Sequence, residues 1–125
     1  MPTQKVIKMV GEVSHGSLRV LFTDLPDGLR CEGEIDLCTR HILVRALAVA
    51  AERTRGDLHA DLQGVDFVDV GGLRVLAEIA FGMAGDRRLV VRGLRPHAWR
   101  IAEICGWSEV LDGRSGEGIR QWDNN

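Results

Sequence analysis

Between residues 18 and 111 the chain alternates short β-rich runs with stretches whose apolar residues recur at helical spacing, and this most constrains its fold. Leu18 to Phe22 (LRVLF) is β-rich, Pro26-Asp27-Gly28 is a turn, and Leu29 to Ile35 (LRCEGEI) alternates apolar and polar positions as a half-buried strand does. These two runs read as a hairpin. From Thr39 to Arg55 the residues Leu43, Ala46, Leu47 and Ala50 share one helical face, with Arg45, Glu52 and Arg53 elsewhere and Thr39 placed as an N-cap. Asp57 to Gln63 puts Leu58, Ala60 and Leu62 on one strand face. Val65, Phe67 and Val68 then lead into Asp69-Val70-Gly71-Gly72, a loop that opens a second helix.

That helix, Leu73 to about Met83, stacks Leu73, Leu76, Ala80 and Met83, while Arg74 and Glu78 mark its wetter side. Arg87 to Arg92 (RRLVVR) is a further strand. Pro96 suits the first turn of a third helix, whose inward stripe is Ala98, Ile101, Ala102 and Cys105 and which Gly106 ends. Val110 and Leu111 add a short closing strand in this reading. Strands alternating with amphipathic helices define an α/β layer fold, a mixed sheet of four to five strands covered by three to four helices. At 125 residues there is room for one such domain and one helical layer. The expected division is an N-terminal extension at 1–17, serving as an edge strand or a flexible arm, the domain proper at 18–111, and a flexible tail at 112–125.

Composition excludes several function classes. The formal net charge is -2 with both signs interspersed, so no basic surface is implied that would track a phosphate backbone. Cys31, Cys38 and Cys105 are odd in number and lack metal-ligand spacing, which fits a reducing compartment rather than a disulfide framework. The amino end has no long apolar run of the kind a signal peptide or membrane span requires, and the expectation is a cytoplasmic protein with no membrane partner. His15, His41, His59 and His97 fall in different elements without a paired carboxylate or a close-spaced second ligand. Gly71-Gly72-Leu73 has neither the lysine and hydroxyl of a P-loop nor the spacing of a dinucleotide fingerprint. Cys38, near a helix start, reads as a packed small residue. No catalytic set, metal site or cofactor site emerges, and the chain is read as a non-enzyme.

Two segments carry a resemblance. Gly33-Glu34-Ile35-Asp36, followed by Thr39, resembles the Gly-Glu-hydrophobic-Asp element of the STAS family, which includes bacterial anti-sigma factor antagonists and cytoplasmic domains of some anion transporters. Val65-Asp66-Phe67-Val68-Asp69-Val70-Gly71-Gly72-Leu73 resembles that family's strand, Asp-Ser-Ser/Thr-Gly-Leu loop and helix start. The separation of the two, the helix between them, and a Pro96 to Gly106 helix ending in Gly-Trp, where the family often has Gly-Leu, extend the likeness over Leu18 to Leu111. The resemblance implies a protein-binding domain whose loops gather on one edge of the sheet. It also implies a phosphorylated serine directly after the loop aspartate, the position held here by Val70, with Gly71 in place of the next hydroxyl. A phosphate would bring about -1.5 to -2 charges, and valine has no oxygen to carry it.

On these grounds the candidate partner-binding residues are Asp36, Thr39, Asp69, Val70, Gly71, Gly72 and Arg74. Each also has a purely structural reading. Asp36 and Asp69 sit where a carboxylate caps a helix, and for Asp69 capping is the preferred role. Val70 suits the end of a buried strand, the packing role assigned to it here. Gly71-Gly72 either permits a tight turn or leaves bare backbone for a partner's approach. Phe81 shares the Arg74 side of the second helix and Trp99 a side of the third with Glu103; both are candidate contacts, with partial burial preferred for Trp99. The implied partner is a serine-kinase-type anti-sigma factor or related regulator, met without phosphorylation and with a homodimer allowed. The alternative is a ligand-sensing or scaffold STAS subunit of a larger signalling or transport assembly.

Overall fold

The computed structural model describes residues 7–12, 17–24 and 26–112. The elements run β1 (Ile7–Glu12), β2 (Ser17–Thr23), β3 (Gly28–Ile35), α1 (Arg40–Arg53), β4 (Leu58–Val68), α2 (Val70–Gly82), β5 (Leu89–Arg92), α3 (Pro96–Ile104) and α4 (Ser108–Leu111). The strands form one five-stranded sheet in sequence order. β1, β2 and β3 pair antiparallel, and β3, β4 and β5 pair parallel through the crossovers α1 and α2. The fold is therefore mixed α/β, as expected from the alternation of strand and helix patterns.

Alternation along the strands decides which face the helices cover. Leu18, Val20 and Phe22 of β2, Leu29 and Cys31 of β3, and Leu58, Ala60 and Leu62 of β4 are buried in one core with Leu43, Leu47, Leu73 and Leu76 of the helices. Arg19, Arg30, Glu32 and Asp61 take the intervening positions, and Arg19 faces Glu32 across the β2–β3 ladder at 3.2 Å. Burial pushes the Cys31 thiol up to about 12, so this cysteine is an uncharged core side chain. Arg87 reaches the carbonyls of Ala51 and Thr54 at 3.1 and 2.8 Å, satisfying acceptors that the end of α1 leaves open.

β4 runs from Leu58 to Val68 with register shifts opposite Arg30/Glu32 and Gly33/Glu34. The extra residues reverse the inward parity, so that Val65 and Val68 face the core with Leu58, Ala60 and Leu62. Cys105 is exposed rather than part of an inward stripe. The helix has already ended: Gly106 takes a φ of 80°, its N–H donates to Glu103 O, and Trp107 N–H donates to Ala102 O, the paired bonds of a Schellman stop. That stop turns the chain back toward α2, so Val110 and Leu111, read as a closing strand, form instead the short helix α4, buried against the core.

His59 is half-buried on β4, and its Nδ1 is buried without a hydrogen-bond partner. Burial first and the Arg92 charge second hold its pKa below 6.5, against the opposing pull of Asp57 and Asp27. The neutral form is thus the one the fold prefers. Stability from this group is complete above the unfolded value near 6.5 and is lost as the pH falls through the lower folded value. Melting temperatures of wild type and His59→Gln, followed from about pH 8 to pH 5, are expected to differ in slope, wild type falling more steeply below pH 6.5. Parallel curves would contradict this assignment.

Candidate functional site

The parallel pair β3–β4 ends at one level, with Ile35 registered against Val68, and both chains turn there into helices. Asp69 continues the pairing by donating its N–H to Ile35 O at 3.0 Å. Two turns that are 33 residues apart in sequence, at Asp36 and Asp69, therefore emerge side by side on one edge of the sheet.

The first turn is closed on itself. Asp36 Oδ1 accepts from Cys38 N–H at 3.0 Å and Thr39 N–H at 3.1 Å, and Asp36 O accepts from Arg40 N–H at 2.8 Å. Thr39 is fully buried, and its hydroxyl accepts from Asp36 N–H at 2.9 Å and donates to Glu34 O at 2.7 Å. Thr39 does occupy the N-cap position of α1, but its hydroxyl points back toward the strand and makes no cap bond. The side chains of Asp36 and Thr39 are thus engaged within their own loop.

The second turn is built around Asp69. Its extended backbone places it as the N-cap of α2, Oδ1 accepts from Gly72 N–H at 2.8 Å, and Oδ2 lies 3.2 Å from Arg40 Nη2. Capping, the preferred reading for Asp69, is its observed geometry, joined by an ion pair from the neighbouring turn that sequence reasoning missed. The glycines do not make a tight turn. Both lie in the first turn of α2, and what they supply is space. A Cβ on Gly72 would sit 2.6 Å from Ile35 Cγ2 and 2.8 Å from Val68 Cγ2, and one on Gly71 would run into the Arg40 guanidinium.

Val70 differs from its assigned packing role. β4 has ended at Val68, Asp69 is the cap, and Val70 is the first helical residue, 52% exposed. It begins a line along the outer side of α2 that continues through Arg74 and Glu78, joined by an i,i+4 ion pair of 3.3 Å, to Phe81, 44% exposed. This line, with Ala77 and Trp107 as its far wall, borders a shallow groove of about 390 Å³. Trp99 is elsewhere, half-buried against the core as preferred for it. The polar groups of the two turns are largely satisfied internally, apart from the buried Arg40 Nε, while the groove carries the exposed Arg74–Glu78 pair between the apolar Val70 and Phe81. Among the described residues no group of three His, Cys, Asp or Glu is placed to hold a metal ion, and no helix is long and apolar enough to cross a membrane.

An open sheet with helices on one face and two loop-borne helix starts on one edge is the architecture of a STAS-type domain. Residues 6–112 match the family model described as "Mlab, STAS domain", and the chain belongs to the STAS family. Among solved structures it is similar to the crystal structure of an anti-sigma factor antagonist from Mycobacterium paratuberculosis, with 21% identity and a TM-score of 0.55 over 82% of this chain and 79% of that one, a likeness of fold. No curated protein matches.

Two substitutions separate the roles inside the edge. Gly72→Ala is expected to lower unfolding free energy by about 1–3 kcal/mol through overpacking against Ile35 and Val68. Thr39→Val, which keeps the shape, strands a buried N–H and a carbonyl and is expected to cost about 1–3 kcal/mol. Denaturant titration of both variants checks the pair, and wild-type midpoints would show that neither contact constrains the edge.

Proposed function

We propose that this STAS domain is a protein-binding regulator of the anti-sigma factor antagonist type, a non-enzyme that engages a serine-kinase-type anti-sigma factor or related regulator in the cytoplasm. The face used is the sheet edge formed by the Asp36 turn and the outer side of α2. Occupying the regulator frees the sigma factor it would otherwise hold, so the domain acts on transcription by competition. The observation that carries this reading is the exposed Val70 at the head of an apolar groove on α2. Apolar surface presented beside a pinned loop suits a protein partner, since its removal from water on docking is favourable at about 25 cal/mol per Å².

The same residue defines the regulation. In the family resemblance the serine at this position accepts phosphate from the kinase; Val70 has no hydroxyl, and Asp69, Gly71 and Gly72 supply none. The interaction is then set by abundance or by another subunit rather than by a phosphate on this loop.

The test uses the kinase-type anti-sigma factors of the organism that carries this chain, purified and passed one at a time over the immobilised protein. One is expected to bind, with Val70→Asp and Phe81→Asp each weakening it roughly 30-fold, the loss of one interface hot spot. With ATP present, the wild-type chain is expected to stay unlabelled and Val70→Ser to take up phosphate and dissociate. Phosphate anywhere in residues 69–72 of the wild type would overturn the unswitched reading. Failure of every such factor to bind would move the chain to the ligand-sensing or scaffold class.

A further inference from the structure

The proposed docking face contains a residue that local stability does not account for. Arg40 opens α1, where the positive end of the helix dipole disfavours a cation, and the first turn of α1 has no acidic residue to offset it. Its main chain belongs to the first turn, through the 2.8 Å bond to Asp36 O, while its guanidinium belongs to the second, through Asp69. The side chain can lie across the gap because residue 71 has no Cβ; one placed there would occupy the space of the guanidinium. The Arg40–Asp69 pair is largely buried, with side chains 32% and 27% exposed, and Arg40 Nε beside it is buried without a hydrogen-bond partner. The consequence of the pair is geometric.

Each of the two turns carries an aliphatic side chain that faces solvent, Leu37 at 75% exposure and Val70 at 52%. Each stands two residues beyond a strand end, and those ends, Ile35 and Val68, are paired. The backbone thus fixes the base of both turns, and Arg40, three residues after Leu37, ties them a second time through Asp69, the residue before Val70. We propose that Arg40 is a positioning residue: lying across Gly71, it fixes the spacing of Leu37 and Val70 so that the partner reads them as a single surface. The role of Leu37 in docking rests on the function proposed above, whereas the tie itself does not.

Arg40→Met, Arg40→Lys, Gly71→Ala and the double variant Arg40→Met/Gly71→Ala test this in two independent ways. In the free protein, amide hydrogen exchange at Cys38, Thr39, Gly72 and Leu73 is expected to rise together, about fivefold, in both Arg40→Met and Gly71→Ala, and by more than at the amides of β2 and β5 away from this edge. Alanine is a better helix former than glycine, so faster exchange in Gly71→Ala cannot come from a lower helix propensity in α2. Affinity for the purified kinase-type anti-sigma factor is expected to fall by a similar factor in the same two variants. Arg40→Lys recovers most of it, and the double variant is no worse than either single one, because both remove the same contact. Wild-type exchange in either single variant, or additive losses in the double, would show that the tie does not exist. Coupled exchange with unchanged affinity would leave the tie standing and overturn its role in docking.

Discussion

The close approach of α2 to the paired ends of β3 and β4 is the constraint on which the rest of this edge depends. Ile35 is fully buried and Val68 nearly so, and the first turn of α2 lies on them at a separation that leaves no space for a methyl group on Gly72. Because the helix starts that low, Asp69 can cap it while its N–H still completes the ladder with Ile35 O. The same placement brings Asp69 Oδ2 within reach of Arg40 and turns Val70 outward as the first helical residue. A side chain at residue 72 would lift the helix and disturb all three arrangements together. Interiors packed to crystal density transmit such a displacement rather than absorbing it.

Where the fold was readable in the sequence, the reason is that the sheet is covered on one side. A strand with one wet face tends to alternate, and Leu58, Ala60 and Leu62 do so visibly, as do Leu18, Val20 and Phe22 apart from the buried Leu21 between them, and the apolar stripes of α1 and α2 at their own period. What was misread depends on partners distant in sequence. The register shifts in β4 are a property of its pairing with β3, so the turn of Val65 and Val68 toward the core alongside Leu62 does not follow from strict alternation. Cys105 fits the inward period of α3, but the Gly106 stop cuts the helix one residue short of it and sends Val110 and Leu111 into the core as a helical turn.

The site was legible in proportion to how local its bonds are. Asp69 capping α2 is a three-residue relation and follows from the sequence. Thr39 stands in an N-cap position by the same logic, yet its hydroxyl bonds backward to Glu34 O and Asp36 N, a choice available because the preceding turn folds over it. Arg40 gives no local signal of its role, since its partner lies 29 residues away. The one trace it leaves is a cation at the wrong end of a helix, a conflict between local preference and observed placement of the kind found where function constrains a position.

In the proposed docking, two properties of this edge would act together. Most polar groups of its turns are bonded within the chain, the buried Arg40 Nε being an exception, so a partner would find few free donors and acceptors to pair with. Affinity in that docking would come mainly from the exposed apolar groups, Leu37 and Val70 on the turns and Phe81 beside the groove. Fully burying a valine is worth about 1.5–3 kcal/mol, so one about half exposed leaves roughly half of that for a partner to gain, without any covalent change to the protein. A hydroxyl in its place would present a polar group to the same apolar surface, and a phosphate on it would bring charge that must be paired or kept hydrated. In the proposed function, valine at position 70 therefore does more than omit an acceptor: it keeps the surface apolar at the position where the family resemblance implies a phosphate.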